Sequence, residues 1–522
     1  MAETPITFNV PRGTAYITIQ QIVIYATSLV YYVLLIRVLS LPQVGEISLL
    51  TAALVFFTTI SQLSLPAAAT RFISSSIGAQ NFSQAAGIAR ISLRLLIATG
   101  TTSLFLAVLA SPLIGTTIFN TSNPTPLIVT FAGSFLIDLT TLFGAYFLGL
   151  GRYAELAYQN FLYYPLSRGL GLVLASTSLG ILGIPAGWAL GAFATLVLSV
   201  YLWKGKLPQA ASFPARTLLV FSLPLFASTV VTLLQSWGDI ALLQAILGQF
   251  GTTGAYYLVV GSTSFLSILW TPVAGALYPA LSSHYAKEGP SAVSPRLAVA
   301  SRLVNLTVLP TCVGLAAVAR TVLEAVYGAS LASQTVTLAI VSATLIFSAQ
   351  GFLLTTVLQA VNKTAHVLGI SLAATIIDLV TVGLSASALG TTAGAIGRAL
   401  LAVSMMLLAW LSLRPIIDVP VFHGLSKSLA LTIVTALPLV IVDTILTLSL
   451  GLAPLLRIPA LFGIFAICFL AGSRGLNVFA DEDFELLKNA LPRSMSWHLR
   501  MLRRLLVRRS SGESIEVLNR RV

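Results

Sequence analysis

Apolar runs recur along the whole chain, and short segments with turn residues separate them. An α-helix needs about 20 apolar residues to cross the hydrocarbon core of a bilayer. Fourteen runs meet this length, at residues 15–36, 47–69, 92–114, 126–150, 159–179, 182–203, 217–246, 252–281, 301–322, 334–360, 364–387, 390–413, 428–450 and 453–472. The pattern therefore predicts an all-α polytopic membrane protein with about fourteen transmembrane helices.

An internal repeat relates the two halves of this pattern. The string SLGILGIPAGWALGA in the first half returns as ALGTTAGAIGRALLA in the second, with six identical residues at an offset of 210. Nearly the same offset relates Arg152 to Lys363 in one turn, and Gly45 to Gly254 in another. Both copies enter the repeat with the same orientation, so it predicts six helices followed by six parallel ones, which is a transporter architecture. Chance matching among small and apolar residues is the alternative.

Composition excludes a soluble protein. Of the 522 residues, 57% are hydrophobic and 9% are charged, and the mean hydropathy is +0.93. A soluble domain carries about 25% charged residues, so a surface this apolar must face lipid. The net charge of +13 does not indicate a nucleic-acid partner. The basic residues lie mainly in short loops and in the C-terminal tail, where membrane orientation requires them.

The distribution of Lys and Arg predicts the orientation of the chain. With the N-terminus in the cytoplasm, the outside loops hold only Arg37 and Arg320. The first apolar run lacks a basic n-region and a cleavage site, so we interpret it as a retained helix. We therefore expect a multi-pass protein of the cell (plasma) membrane with both termini cytoplasmic. After Pro492 a basic amphipathic stretch is typical either of a helix that lies on anionic lipid or of a solvated tail.

Four stretches of the chain resemble the multidrug/oligosaccharidyl-lipid/polysaccharide (MOP) exporter superfamily. They read LIRVLSLPQVGEISLL with LSLPAAATRFISSSIG, then LGLGRYAELAYQNF, then FSLPLFASTVVTLLQSWGDIALLQAILGQFGTTGAYYLV, and last LEAVYGASLASQTVTLAIVSATLIFSAQGFLLTTVLQAVNKTAHV. The four stretches together cover most of residues 15–413, and their order and spacing make the resemblance specific for the superfamily. The extra helix pair is similar to fourteen-helix members of the polysaccharide-transporter branch, which contains lipid-linked oligosaccharide flippases.

This resemblance implies a MATE-like bundle of two lobes. We expect an N-terminal six-helix lobe at residues 1–208, a C-terminal six-helix lobe at 209–415, an additional helix pair at 416–472 and a basic cytoplasmic tail at 473–522. The implied function is translocation of a lipid-linked oligosaccharide from the cytoplasmic to the outer leaflet by alternating access, driven by an ion gradient or by the membrane potential. A cation-coupled exporter of small molecules or drugs with the same fold is the alternative.

An integral-membrane enzyme is a third class, which the sequence disfavours. No acidic cluster occurs before Asp481, and no HExxH motif or P-loop is present. Cys312 and Cys468 lie in apolar runs and the four histidines are scattered, so we predict no disulfide framework, no metal site and no cofactor. The expected partners are the bilayer, a phosphate- or pyrophosphate-linked oligosaccharide and a coupling proton or sodium ion, with no nucleic acid.

Asp239 is the clearest candidate for a functional charge within a span. A charge inside the membrane is costly and is therefore a functional candidate. The position at matching depth across the next turn is Gly261, which has no side chain, so Asp239 lacks an obvious local partner. Relatives with this fold line their cavity with the seventh helix, among others. Asp239 is therefore predicted to serve ion coupling or to contact a sugar or a cation, with a packing or capping role as the alternative.

The other charges within the spans fall into pairs at similar depth. These pairs are Asp138 with Arg168, Asp378 with Arg398, and Asp443 with Arg457. For the last pair we favour a structural ion pair. In each of the first two pairs, the aspartate and the arginine either bind each other or line the cavity. Because the expected substrate carries a phosphate, Arg168 and Arg398, together with Arg71 at the inside end of the second helix, are the basic candidates to bind it. Positive-inside anchoring is the alternative role for Arg71.

Overall fold

A computed structural model of the protein describes residues 10–203 and 211–479, with Met501 and Leu506. Nearly all of these residues are helical, in α1 (Val10–Val38), α2 (Leu41–Gln62), α3 (Leu65–Gly78), α4 (Phe82–Thr117), α5 (Thr125–Gly149), α6 (Tyr153–Ala175), α7 (Gly183–Trp203), α8 (Ala215–Leu247), α9 (Phe250–Ser264), α10 (Thr271–Glu288), α11 (Val293–Ala317), α12 (Ala319–Tyr327), α13 (Thr335–Ala360), α14 (Thr364–Leu389), α15 (Thr391–Leu413), α16 (Leu425–Leu448) and α17 (Pro454–Gly475). The predicted amphipathic stretch of the tail lies almost wholly outside the described residues.

Twelve stretches of the described residues are long and apolar enough to cross a membrane, and they match twelve of the fourteen predicted spans. The span predicted at 159–179 is α6, whose hydropathy is lowered by polar side chains such as Glu155 and Arg168. The span predicted at 252–281 is interrupted by a 3₁₀ segment at Phe265–Leu269, which separates α9 from α10. The all-helical membrane fold is therefore confirmed, and fourteen is an approximate count.

The surfaces of the helices are apolar where a soluble protein would be polar. Large hydrophobic side chains such as Phe105, Leu113 and Leu384 are exposed, the last at 81%. In water such a surface would be unfavourable, whereas the hydrocarbon of a bilayer solvates it without cost. The exposed side chains therefore agree with a multi-pass membrane protein.

The second predicted span is broken inside the membrane. Leu63 and Ser64, between α2 and α3, both have left-handed backbones, with φ of 47° and 56°. Pro66 follows in the first turn of α3, where a backbone N–H is not needed. Thr99 of α4 donates at 2.6 Å to the carbonyl of Ser61, one of the last carbonyls of α2 that a helix end leaves open. Irregular backbone at membrane depth is tolerated where it packs in protein or lines a cavity.

The helices form two compact units. Unit 1 contains the described residues of Met1–Phe265 and Asp378–Gly397, and unit 2 contains those of Leu266–Ile377 and Arg398–Val522. Unit 1 thus holds the predicted first lobe together with α8 and α9. The lobe boundaries at residues 208 and 415 and the parallel repeat stay predictions.

Small residues set the helix crossings of unit 1. Gly45 of α2 meets Gly254 of α9, and a Cβ on Gly254 would lie 2.7 Å from the backbone nitrogen of Gly45. A Cβ on Gly45 would lie 1.9 Å from the carbonyl oxygen of Phe250. No side chain fits at either position, so glycine is what lets α2 and α9 pack in backbone contact.

Buried polar contacts join the helices of unit 2. Asn305 of α11 donates to the carbonyls of Val421 and His423 at 3.0 and 3.2 Å. Gln350 of α13 donates to Oδ1 of Asn305 at 2.7 Å, and Ser428 of α16 donates to the Asn305 carbonyl. These bonds fix the loop before α16 against the two neighbouring helices.

The predicted ion pair between Asp443 of α16 and Arg457 of α17 is confirmed. Its Nη1 and Oδ1 atoms are 3.4 Å apart. Thr321 of α12 donates to both oxygens of Asp443 at 2.8 Å, and Glu324 lies 3.9 Å from Nη2 of Arg457. The network attaches the additional helix pair to α12 within unit 2.

Candidate functional site

Aromatic rings and one arginine surround a cavity of about 220 Å³ inside unit 1, which we name the arginine cavity. Six helices contribute to its wall, namely α1, α2, α6, α7, α8 and α9. The rings belong to Tyr31, Tyr32, Tyr163, Tyr164, Trp188, Trp237 and Tyr257, and the other wall residues are Thr51, Leu54, Ser167 and Arg168. A wall of this kind combines flat apolar faces with hydroxyl, indole N–H and guanidinium donors.

Arg168 projects from α6 onto one face of α1. Ile24, Ser28 and Tyr31 share this face because they follow the helical spacing i, i+4 and i+7. Nη1 of Arg168 donates to Oγ of Ser28 at 2.5 Å and to the carbonyl of Ile24 at 3.3 Å. Its guanidinium carbon lies 5.6 Å from the ring centre of Tyr31, and 5.2 Å from that of Tyr164, one turn earlier on α6.

The charge of Arg168 is not compensated by an acid. Among the described residues its partners are a hydroxyl, a carbonyl and two aromatic rings, and no carboxylate contacts it. The guanidinium therefore places a positive charge in the cavity, within a predicted membrane span. A phosphate would lower the energy of this charge most, because guanidinium binds phosphate through short, charge-assisted hydrogen bonds.

A free hydroxyl stands beside this charge. Tyr31 is only 5% exposed, and its OH has no hydrogen-bond partner among the described residues. An unsatisfied buried hydroxyl costs about 1–3 kcal/mol. An oxygen-rich ligand in the arginine cavity would remove this penalty, so Tyr31 and Arg168 together offer hydrogen bonds and a positive charge to a polar, anionic ligand.

A second cavity, of about 390 Å³, lies next to the first and is named the inner cavity. Its wall mixes apolar residues such as Ile137, Leu148 and Leu156 with the polar side chains of Thr70, Thr140, Thr141, Gln159, Asn160 and Thr195. Tyr163 and Tyr164 line both this cavity and the arginine cavity, so the two are neighbours. Under the predicted orientation the inner cavity lies in the cytoplasmic half of unit 1, and the arginine cavity lies in the outer half.

A third cavity, of about 330 Å³, has an apolar wall and is named the apolar cavity. Its wall is formed by Leu49, Ala52, Ala53, Phe56, Ile114, Ile118, Phe119, Phe131, Leu233, Leu234, Trp237, Gly238 and Ala241. Trp237 also lines the arginine cavity, so these two are neighbours as well. The inner cavity, the arginine cavity and the apolar cavity therefore follow one another through unit 1.

Asp138 supports the break between α2 and α3 rather than pairing with Arg168. It is fully buried, and it accepts hydrogen bonds from Ser61 and from Nε2 of Gln62, the latter at 2.7 Å. Both donors lie in the last turn of α2. The ion-pair alternative for Asp138 and Arg168 is wrong, because matching depth along two helices does not fix the direction in which each side chain points. Of the two, Arg168 lines a cavity.

Asp239 has a local partner, contrary to the sequence-based expectation. Tyr256 of α9 donates to its Oδ2 at 2.5 Å, and the backbone N–H of Ile240 donates to Oδ1 at 2.9 Å. The carboxylate is fully buried. Gly261 is as far from the turn as Asp239 is, so the sequence predicts that Gly261 lies opposite Asp239. The crossing of α8 and α9 instead brings Tyr256 to the depth of Asp239. The neighbours Trp237 and Gly238 line the apolar cavity.

The remaining candidates do not meet at the arginine cavity. Asp378 is fully buried, and a Cβ on Gly397 would lie 2.3 Å from its Oδ1. Asp378 belongs to unit 1 and Arg398 to unit 2, so their pairing stays a prediction. Arg71 is exposed and lies over the ring of Phe221, with its guanidinium carbon 4.1 Å from the ring centre.

The aromatic wall was not predicted from the sequence. Its signal is the presence of tyrosine doublets inside apolar runs, Tyr31-Tyr32 on α1 and Tyr163-Tyr164 on α6. A buried tyrosine needs a partner for its hydroxyl, so two adjacent ones within a span indicate a polar interior. Only the packing of α1 on α6 shows that both doublets face Arg168.

A bundle of lipid-facing helices that encloses polar and charged cavities is the architecture of a membrane transporter. The chain belongs to the polysaccharide biosynthesis protein family, whose sequence pattern matches residues 10–284, more than half of its length. No curated protein matches the chain by sequence. The predicted membership of the polysaccharide-transporter branch of the MOP superfamily is thereby confirmed.

Three solved structures share the fold. A multidrug resistance MATE family transporter of the MOP superfamily, inward-facing, is 16% identical, with a TM-score of 0.63 over 75% of this chain and 93% of that one. The lipid II flippase MurJ, in an inward closed conformation, is 15% identical, with a TM-score of 0.65 over 87% and 97%. A MOP superfamily transporter from Pyrococcus furiosus is 15% identical, with a TM-score of 0.54 over 78% and 96%. These likenesses show a MATE-like fold.

Proposed function

We propose that this transporter is a flippase for a lipid-linked oligosaccharide, and that the arginine cavity binds the phosphate and the first sugar. The observation that carries the proposal is the uncompensated charge of Arg168 beside the free hydroxyl of Tyr31. Arginine supplies the donors that a phosphate or pyrophosphate requires. The surrounding rings offer flat faces to a sugar, and the hydroxyl accepts or donates a bond to it.

The inner cavity suits the rest of the glycan. Its threonine, glutamine and asparagine side chains match the many hydroxyl groups of an oligosaccharide. The family of polysaccharide biosynthesis proteins and the shared fold of a lipid II flippase support a substrate of this class. Under this proposal the glycan would move from the cytoplasmic leaflet to the outer leaflet of the plasma membrane by alternating access, with both termini of the chain cytoplasmic.

Coupling to a proton or a sodium ion would use a buried carboxylate. Asp138 holds the break at α3, and Asp239 is bonded to Tyr256, so a change of charge at either would alter a helix contact in unit 1. Asp378, Arg398 and Arg71 are retained as further candidates for coupling or for substrate contacts. A driving force from the membrane potential alone would need none of these.

A drug exporter is the second candidate, because the fold is shared with multidrug transporters. An exporter of cationic drugs needs a carboxylate on the wall of its cavity. None of the three cavities described above has an aspartate or glutamate on its wall, and one has an arginine. The charge of the site therefore favours an anionic substrate.

Transport by an Arg168→Gln variant tests the proposal. Proteoliposomes would be loaded with a polyprenyl-phosphate or pyrophosphate oligosaccharide, and appearance of the glycan in the opposite leaflet would be followed with an added glycosidase. Loss of one charge-assisted contact of about 1.5–3 kcal/mol should slow transport at least about tenfold. Arg320→Gln is the matched control, because Arg320 has a 73% exposed side chain outside the cavities. Normal transport by Arg168→Gln would overturn the proposal.

A further inference from the structure

We propose that the apolar cavity is the binding site for the polyprenyl chain of the carrier, in the segment next to the phosphate. The inference rests on the proposed function, since it needs the phosphate in the arginine cavity. It adds a second site, with its own ligand chemistry, to the one that Arg168 forms.

The first argument is covalent continuity. The lipid chain is bonded to the phosphate, so it must leave the arginine cavity through one of that cavity's walls. Beyond Tyr163 and Tyr164 lies the inner cavity, where a hydrocarbon chain would cover Thr, Gln and Asn side chains of the wall without offering them hydrogen bonds. Beyond Trp237 lies the apolar cavity. Of the two adjoining cavities, only the apolar cavity therefore offers the lipid chain a route without Thr, Gln or Asn side chains.

The second argument is the composition of the wall. Every side chain on it is aliphatic or aromatic, apart from the indole N–H of Trp237. Ala52, Ala53 and Gly238 leave room between the larger residues. A glycan or a phosphate placed here would lose its hydrogen bonds to water without replacement, whereas a branched hydrocarbon would lose nothing.

The third argument is access from the surface. Phe56 on α2 and Ile118 at the end of α4 belong to the wall, yet they are 55% and 48% exposed. The cavity is therefore open at the surface of unit 1 rather than sealed. Under the predicted orientation this opening lies in the outer half of the unit, which is where the chain has to be delivered once its head group has crossed.

Photo-crosslinking in nanodiscs tests the site. One probe is a polyprenyl phosphate sugar with a diazirine in the isoprene units next to the phosphate, and a second probe carries the diazirine on the sugar. The chain probe should label the peptides that contain Phe56 and Ile118. Ala53→Phe fills the cavity and should lower this labelling about tenfold, as expected when a ring is forced into occupied space.

Ala98→Phe is the matched control, since Ala98 is exposed on α4 away from the three cavities. It should label as the unmodified protein does. If the sugar probe labels the peptide of Tyr163 and Tyr164 while the chain probe misses the apolar cavity, the chain site is wrong and the proposed function survives. If neither probe labels the peptides that line the arginine cavity or the apolar cavity, both the chain site and the proposed function are wrong. Displacement of the chain probe by excess phosphatidic acid would assign the cavity to ordinary lipid and also overturn the inference.

Discussion

The hydroxyl of Tyr31 offers a residue-scale test in which stability and binding respond differently. Because it has no partner among the described residues, Tyr31→Phe removes an unsatisfied group and should leave the melting temperature unchanged or raise it. If a bound sugar phosphate uses this hydroxyl, the same variant should weaken its binding about two- to tenfold. Thermal denaturation and binding of a short-chain prenyl phosphate sugar to the purified protein give the two measurements.

Tyr146→Phe is the matched control for this prediction. Tyr146 is also buried, but its hydroxyl donates to the carbonyl of Ala89 at 2.8 Å and lies 3.0 Å from Oγ of Ser92. Its loss should lower the melting temperature and leave binding unchanged. The reverse pattern, with Tyr31→Phe destabilising and binding intact, would assign Tyr31 a structural role.

At the residue scale, sequence reasoning identified the charges but not their partners. The sequence singles out Arg168, Asp138 and Asp239 because an ionisable group in an apolar run is rare in any fold. Equal distance from a turn predicts the pair of Asp443 with Arg457 correctly, and it fails for Asp138 with Arg168. Depth is fixed by the 1.5 Å rise along a helix, whereas direction depends on helix rotation and crossing, which a single sequence does not give.

At the scale of elements, long uniform helices were predictable and interrupted ones were not. No glycine occurs at the break between Leu63 and Ser64, so the sequence does not indicate a left-handed backbone there. Pro66 does not predict the break either, because a proline is compatible with a helix start or with a kink. The break is stabilised from other helices, by Asp138 of α5 and Thr99 of α4. An irregular segment that depends on such tertiary contacts leaves no local pattern in the sequence.

The contact between α2 and α9 supplies a prediction about an element pair. A Cβ on Gly45 would meet backbone atoms of Phe250, which cannot rotate away. Gly45→Ala should therefore lower the free energy of unfolding by about 1–3 kcal/mol, as overpacking does. Gly275→Ala is the control, because nothing lies within 4 Å of its Cβ position in α10, and it should be neutral or stabilising. Equal melting temperatures for the two variants in detergent would contradict the close contact.

The same contact bears on the predicted repeat. Gly45 and Gly254 are equivalent positions at an offset of 209, and they lie against each other. Two equivalent residues can touch only close to the axis that relates them. A parallel repeat would therefore have its axis near this contact between α2 and α9, and the repeat itself stays a prediction.

At the scale of the whole molecule, the order of the cavities matches the order of groups in the proposed substrate. The inner cavity, which has Thr, Gln and Asn side chains on its wall, adjoins the cationic arginine cavity, and the arginine cavity adjoins the apolar cavity. A lipid-linked oligosaccharide presents a glycan, a phosphate and a hydrocarbon chain in the same sequence. None of this order could be predicted from the chain alone, because each wall combines residues from at least four separate helices.

The orientation of the whole chain is the assumption that places the inner cavity on the cytoplasmic side, and cysteine labelling tests it. Cys312 and Cys468 would first be replaced by alanine, since Cys468 is partly accessible. Single cysteines would then be placed at Ser122, in the exposed loop between α4 and α5, and at Thr364, exposed at the start of α14.

The excess of Lys and Arg in the predicted inside loops puts Ser122 outside and Thr364 inside. A membrane-impermeant maleimide on intact cells should therefore label Ser122→Cys alone, and permeabilisation should expose Thr364→Cys. The opposite pattern would invert the direction of every cavity. Labelling of both cysteines from outside would show that an even number of spans separates the two positions, rather than the predicted seven.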